Sequence, residues 1–300
     1  MGAMRDLSIK PWFAAKLGVA LCLALFASAN VRSQDAAANA PLQFGPLEAW
    51  KAAVLSGNAA TLKALYSVEP PATTKTPKGT SGDPAAEPDF WAGLKPSGLS
   101  HLKTRIAHID SPQTGVQRVF FTLEATMQGP SGATKSFASI AQAWIQEDGK
   151  PVIVATQRTN LSRLPQPIDA KPDLYPDASE AHTDIGLALS VAAREHRRVL
   201  LDFGGNWCYD CHVLDETFHY PEVARILDPN YVVVHINIGQ YDANLDLAQK
   251  YQIPLKKGVP SLAVLDSKGN LLVSQKNGDF ENTTRIGLKD VEQFLETWKP

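Results

Sequence analysis

The sequence predicts two folded units in series: an α+β domain over residues 44–163, and an α/β domain with a mixed central sheet flanked by helices over residues 178–300. Three observations carry this prediction. Helical periodicity in Leu47–Tyr66 gives way to four turn-punctuated strand segments between His101 and Thr159, the order of helices followed by an antiparallel meander. A stretch from Leu164 to Pro176, with prolines at 165, 167, 172 and 176, reads as a semi-extended linker over 164–177. Beyond it, apolar strands and helices alternate as βαβα and then ββα, which implies a mixed sheet covered by helices.

The bulk properties agree with a folded chain. It has 300 residues, 44% hydrophobic and 20% charged, a length that suits two domains. A formal net charge of −2 gives no basic excess that would point to nucleic acid or an anionic membrane surface.

Residues 1–29 read as a signal peptide. Arg5, Lys10 and Lys16 form a basic region, Leu17–Phe26 is a short apolar run, and Ala27-Ser28-Ala29 has the small-x-small pattern of a cleavage site. The run is short for a membrane span. The expectation is export to the periplasm or exterior, with no membrane attachment after cleavage. Residues 30–43 read as a flexible lead-in. Of three cysteines, Cys22 lies in the signal, so the mature chain keeps only Cys208 and Cys211. One pair with two residues between its members cannot form a disulfide framework, and this points to chemistry rather than a staple.

Within the first domain, Gly57-Asn58 marks a break between two helices in Leu47–Tyr66. Residues 69–88 hold five prolines among Thr, Lys, Gly and Ser and read as a surface loop or disordered insert. Asp89–Leu94 reads as one helical turn. Strands are expected at His101–Asp110, Val116–Met127, Lys135–Glu147 and Pro151–Thr159. This layout, with its LEAWKAAVLSGNAATLKALY opening, resembles the cone-shaped nuclear-transport-factor-2-like fold. That resemblance implies a pocket or an interface. Phe90, Trp91, Phe120, Phe121, Phe137 and Trp144 could line a cavity or simply form core.

Within the second domain, a helix over Ile185–Ala192 precedes a buried strand, Val199–Phe203. A Gly204-Gly205 turn then leads into a helix opening at Cys208. Unpaired backbone N–H groups at a helix start carry partial positive charge, which favours a thiolate there. Cys208, at the first position, where it can be exposed, would attack a substrate disulfide. Cys211, one turn deeper on the same face, would resolve the mixed disulfide.

The stretch Leu201-Asp-Phe-Gly-Gly-Asn-Trp-Cys-Tyr-Asp-Cys-His212 resembles the thioredoxin superfamily over about residues 178–299. Together with Pro221-Glu222-Val223, it is similar to exported reductases such as the C-terminal domain of DsbD. The resemblance implies that Asp202 is the buried acid accepting the Cys211 proton, through water. It also implies that Val259 and Pro260 form a cis-proline loop, whose outward backbone groups would pair with substrate. Trp207 reads as a packing and substrate-contact residue, and Tyr209, between the cysteines, as one that contacts substrate and tunes the pair. The lysine of the third strand is His235 here, and the acid two residues after Asn237 is replaced by Gly239. The carboxylate of Asp210, between the cysteines, disfavours a Cys208 thiolate and so makes the pair more reducing.

Other readings compete. Cys208-Tyr-Asp-Cys211-His212 fits the c-type haem attachment pattern, but the strand–turn–helix context and the lack of a nearby second ligand argue against it. His212 and His219 with the cysteines could number four zinc ligands, yet lack the paired spacing of a structural site. A third reading makes the first domain a binding module and the second a redox sensor. The expected activity is thiol–disulfide exchange with no cofactor beyond a Cys208–Cys211 redox disulfide. Its partners would be protein or small-molecule disulfides and a second thiol redox protein.

Overall fold

A computed structural model of the chain describes residues 42–300. The expected signal peptide, with Cys22, and all of the expected lead-in except its last two residues lie outside the described residues. No helix among the described residues is long and apolar enough to cross a membrane.

The first domain opens with α1 (Gly45–Ser56) and α2 (Ala59–Lys63). Gly57 ends α1 in the left-handed region, at φ 68°. A Cβ there would meet Lys95 Cβ at 2.5 Å, so only glycine fits both the turn and the close approach. Asn58 then caps α2, its Oδ1 accepting the Thr61 amide at 3.0 Å.

Residues 69–88 differ from expectation. They form an ordered hairpin, β1 (Thr73–Thr76) and β2 (Gly79–Ser81), that leads into α3 (Ala86–Ala92). Strand β1 adds in parallel to a strand some eighty residues later in the chain, with Thr73 opposite Ala155. The composition of prolines and small polar residues carries no local strand signal; long-range backbone pairing supplies the order.

The four expected strands are present, the first three longer than their apolar patterns: β3 (Leu99–Gln113), β4 (Val116–Gly129), β5 (Gly132–Glu147) and β6 (Lys150–Arg158). The sheet order is β2-β1-β6-β5-β4-β3. Three register shifts between β3 and β4 mark bulges that bend the sheet. Its concave face is filled by the helices: Trp50 packs edge-on against Trp91 and Phe121, at 5.1 and 5.8 Å between ring centroids. Trp91, Phe121 and Trp144 belong to the domain's core, with Phe90 half-buried against it. Phe120 and Phe137 are buried outside that core, Phe120 stacked on His108 and Phe137 against Tyr220 of the second domain.

Residues 164–177 also differ from expectation. They join the domains, but as a strap packed onto the second domain rather than as an extended spacer. Leu164 is buried in its core, and Tyr175 is 1% exposed in the core around the cysteines. Asn206 clamps the strap from both sides, accepting the Tyr175 amide at 2.8 Å and donating to the Tyr175 carbonyl at 2.9 Å.

The second domain runs α4 (Ala181–Glu195), β7 (Arg198–Gly204), α5 (Tyr209–Phe218), α6 (Pro221–Asn230), β8 (Tyr231–Asn237), α7 (Leu245–Lys250), β9 (Ser261–Leu265), β10 (Leu271–Ser274) and α8 (Leu288–Trp298). Strand β7 pairs in parallel with β8 and antiparallel with β9, in the order β10-β9-β7-β8. Alternate residues of β7 enter two cores: Val199, Leu201 and Phe203 meet α4 and α7, while Leu200 meets α5, α6 and α8. A central strand buried on both faces reads as the continuous apolar run seen here. Asp202 interrupts it.

The domains meet where β4 and β5 face the α5–α6 corner. Lys135 lies 3.0 Å from Tyr220 Oη and 3.1 Å from Glu124, and pairs with Glu222; the Tyr220 hydroxyl donates to Glu124. Beside this junction is a cleft of about 400 Å³ reached by Arg105, Lys171, His212 and Asp215.

Candidate active site

Strand β7 ends at Gly204, and the turn through Gly205-Asn206 delivers Cys208 to the N-cap of α5. Cys208 and Cys211 are joined by a disulfide, with 5.3 Å between their Cα atoms. The Cys211 amide donates to Cys208 Sγ at 3.2 Å. That donor and the helix start favour negative charge on this sulfur when the disulfide is reduced.

Cys208 is the N-cap rather than the first helical residue, and it is 5% exposed rather than open. The cap position sets it against the loop before β9, where the Val259 carbonyl lies 3.6 Å from Sγ. The Val259–Pro260 peptide is cis. Cys211 lies one turn further on and is fully buried.

Trp207 is the open residue of the motif, 46% exposed. Its indole N–H donates to the Gly239 carbonyl at 2.7 Å, and its ring stands 5.5 Å from Tyr241. The Tyr209 hydroxyl donates to Gln166 Oε1 at 2.9 Å, so this side chain fastens the strap. Asp210 is held by Thr283, accepting its amide at 3.2 Å and its hydroxyl.

Asp202 is fully buried. Its Oδ2 accepts the Tyr175 hydroxyl at 2.9 Å and lies 3.0 Å from His235 Nδ1; its Oδ1 has no partner among the described residues. Burial works against the His235 imidazolium. The hydrogen bond and charge of Asp202, joined by the charge of Asp215, outweigh it and hold the pKa above the ordinary histidine value. Burial first, then the Asp202 charge, push the Tyr175 phenol well above its usual range. Asp215 lies 3.9 Å from His235 Nε2 and is paired with Lys171 at 2.5 Å.

Tyr175 and Asp215 were not singled out by sequence reasoning. Tyr175 carried a faint signal: a large aromatic has no reason to sit in a free linker. Asp215 follows Cys211 by four residues and so shares its helix face.

The two histidines that follow the cysteines lie against backbone carbonyls. His212 is buried, with Nε2 2.9 Å from the Asn206 carbonyl, and both sulfurs bond each other. His219 instead turns Nδ1 to the Asp215 carbonyl at 2.8 Å.

Residues 180–267 match the model of the thioredoxin-like family, described as "Thioredoxin-like". The disulphide isomerase of Xylella fastidiosa Temecula1 is 30% identical, covering 41% of this chain and 95% of that one, with a TM-score of 0.39. Through its C-terminal domain the chain belongs to the thioredoxin-like family. The thioredoxin-like unit follows a region similar to NTF2-like proteins. One of unknown function from Shewanella oneidensis MR-1 is 12% identical, covering 38% of this chain and 93% of that one, at a TM-score of 0.32. A ketosteroid isomerase-like protein from Erwinia carotovora atroseptica SCRI1043 is 12% identical, covering 38% and 89%, at a TM-score of 0.31. No curated protein matches the sequence.

Proposed function

We propose that this chain is an exported thiol–disulfide oxidoreductase acting as a disulfide reductase. Cys208 is the nucleophile and Cys211 the resolving thiol. The observation that carries the reading is the sulfur of Cys208 at the start of α5, receiving the Cys211 amide and bonded to Cys211. In the reduced form that amide and the helix start offset charge on the Cys208 thiolate, which attacks one sulfur of a substrate disulfide. Cys211 then attacks Cys208 of the mixed disulfide, and the product leaves reduced.

The exposed Trp207, with Tyr241 beside it, supplies an apolar rim for a disulfide-bearing protein or small molecule. The disulfide is the redox group, and a second thiol protein restores the dithiol. The reductive direction rests on the Asp210 carboxylate next to Cys208, whose charge the two donations from Thr283 partly offset. Location in the periplasm or exterior rests on the sequence of residues 1–29.

The test is insulin reduction by the chain lacking residues 1–29. Cys208→Ser abolishes it, and Cys211→Ala accumulates mixed disulfides through Cys208. Full activity of Cys208→Ser, or trapping through Cys211 instead, overturns the assignment. A reduction potential of about −270 mV fits a reductase and one of about −120 mV an oxidase.

A further inference from the structure

Tyr175 comes from the strap between the domains, yet its hydroxyl lies inside the redox site. A Cβ added at Gly204 would meet Tyr175 Oη at 2.3 Å and Cys211 Sγ at 2.7 Å. The phenol oxygen and the sulfur therefore rest on one spot of backbone, no farther apart than those two distances combined. The same hydroxyl donates to Asp202 Oδ2, and His235 Nδ1 meets that carboxylate from the other strand. The order in space is Cys211, Tyr175, Asp202, His235. Of the last two, His235 reaches solvent, its side chain 20% exposed against 0% for Asp202.

We propose that the Tyr175 hydroxyl carries the proton between Cys211 and Asp202, and that His235 returns it to solvent. This deepens the thiol–disulfide exchange reading and rests on it.

The step balances as follows. In the mixed disulfide, Cys208 is bonded to the substrate sulfur and Cys211 is a thiol. The Cys211 proton passes to Tyr175 Oη as the phenol proton passes to Asp202. The Cys211 sulfur forms its bond to Cys208, the Cys208–substrate bond breaks, and the product leaves as a thiolate that takes a proton from water. The enzyme dithiol gives up two electrons and the substrate disulfide gains them. The His235 imidazolium releases a proton to water and takes the one held on Asp202, restoring the starting charges.

The surroundings suit this role. The phenol, raised well above its ordinary pKa by burial and by Asp202, stays a neutral donor. The groups facing His235 are Asp202 from β7, Asp215 from α5 and the Tyr175 phenol of the strap; Lys171 of the strap and His219, which caps the end of α5, bear on Asp215, at 2.5 and 3.6 Å. The clamp of Asn206 on the Tyr175 backbone fixes the hydroxyl in advance of the reaction, which lowers the reorganisation a proton transfer needs.

The experiment follows release of a coloured aryl thiol from its mixed disulfide with Cys208, in one turnover, from about pH 5 to 9. Tyr175→Phe keeps the ring and removes the carrier. We expect release slowed by about tenfold or more, within the range of general acid–base effects, and a pH profile displaced toward that of Asp202→Asn. A thermal midpoint near wild type excludes unfolding as the cause. Wild-type rate and profile in Tyr175→Phe, with Asp202→Asn slowed, overturns the proposal. If Tyr175→Phe does not fold, His235→Gln decides: it keeps a donor to Asp202 but carries no proton, so an unchanged pH profile overturns the relay. If the wild type forms no mixed disulfide through Cys208, the exchange reading itself fails, and the relay with it.

Discussion

Asp202 and His235 stand directly opposite each other in the parallel β7–β8 pair, and the imidazole Nδ1 lies 3.0 Å from the carboxylate. A fully buried carboxylate needs such a partner, because an unpaired charge in an apolar core is destabilising. Two carboxylates, Asp202 and Asp215, act on one imidazole and raise its pKa above the ordinary value in spite of burial.

This gives a pH prediction of definite sign. A group whose folded pKa is raised adds stability that is complete below its unfolded pKa, about 6.5, and is lost as pH rises through the folded value. His235→Gln should therefore cost about 2 kcal/mol at mildly acidic pH, in the range of hydrogen bonds to charged groups. The difference should shrink under alkaline conditions. Denaturant titrations of both proteins across pH measure it, and a gap independent of pH would mean the imidazole carries no charge there.

Gly204→Ala should be destabilising for a different reason. The new methyl would lie 2.3 Å from Tyr175 Oη and 2.7 Å from Cys211 Sγ, and both neighbours are packed and buried. Overpacking of this kind costs about 1–3 kcal/mol. Calorimetry on the oxidised protein should show a lower unfolding temperature. An unchanged midpoint would show that the Tyr175 ring yields freely, which its clamped backbone argues against.

The contrast between legible and illegible parts has a physical source. Strands β3–β6 and the βαβ unit around Cys208 follow local periodicity and turn residues, so their order could be read directly. Glycines 204 and 205 before the cysteines announced the turn into α5. The hairpin at 73–81 could not be read, because its stability lies in pairing with β6 far along the chain. The strap reads as a linker by its prolines, and only its tertiary partners reveal otherwise: Leu164 in a core, Tyr175 on Asp202. The place of Tyr209 in the motif says nothing of its bond to Gln166, a residue of that strap.

The contact between domains is also testable. Burial works against ionised Glu124, yet hydrogen bonds from Tyr220 and Lys135 outweigh it and hold its carboxyl below the usual range. Tyr220→Phe removes one of these donors and keeps the ring, which packs against Phe137 at 5.3 Å. The hydrogen bond is part-buried, so a loss of about 1 kcal/mol is expected, less than for a fully buried charged pair. It should appear as faster limited proteolysis within residues 164–177, where the strap bridges the domains. Unaltered cleavage would mean that the strap is held by its own domain alone.

The strongest stability effect is expected far from the cysteines. Arg158 on β6 meets Glu87 at 2.8 Å, both nearly fully buried, and Trp91 donates its indole N–H to the same carboxylate oxygen at 2.6 Å. The guanidinium also lies over the Phe90 ring at 3.9 Å. This cluster ties α3 to the sheet that closes the first domain. Arg158→Met fills part of the volume but leaves Glu87 with the indole as its only donor among these partners. Removing one member of a buried ion pair costs about 3–5 kcal/mol because the other charge stays uncompensated. Changing both, Arg158→Met with Glu87→Gln, should recover much of that loss, since the stranded charge is then gone. A double-mutant cycle by chemical denaturation measures the coupling. Simple additivity of the two substitutions would show that the pair does not act as a unit.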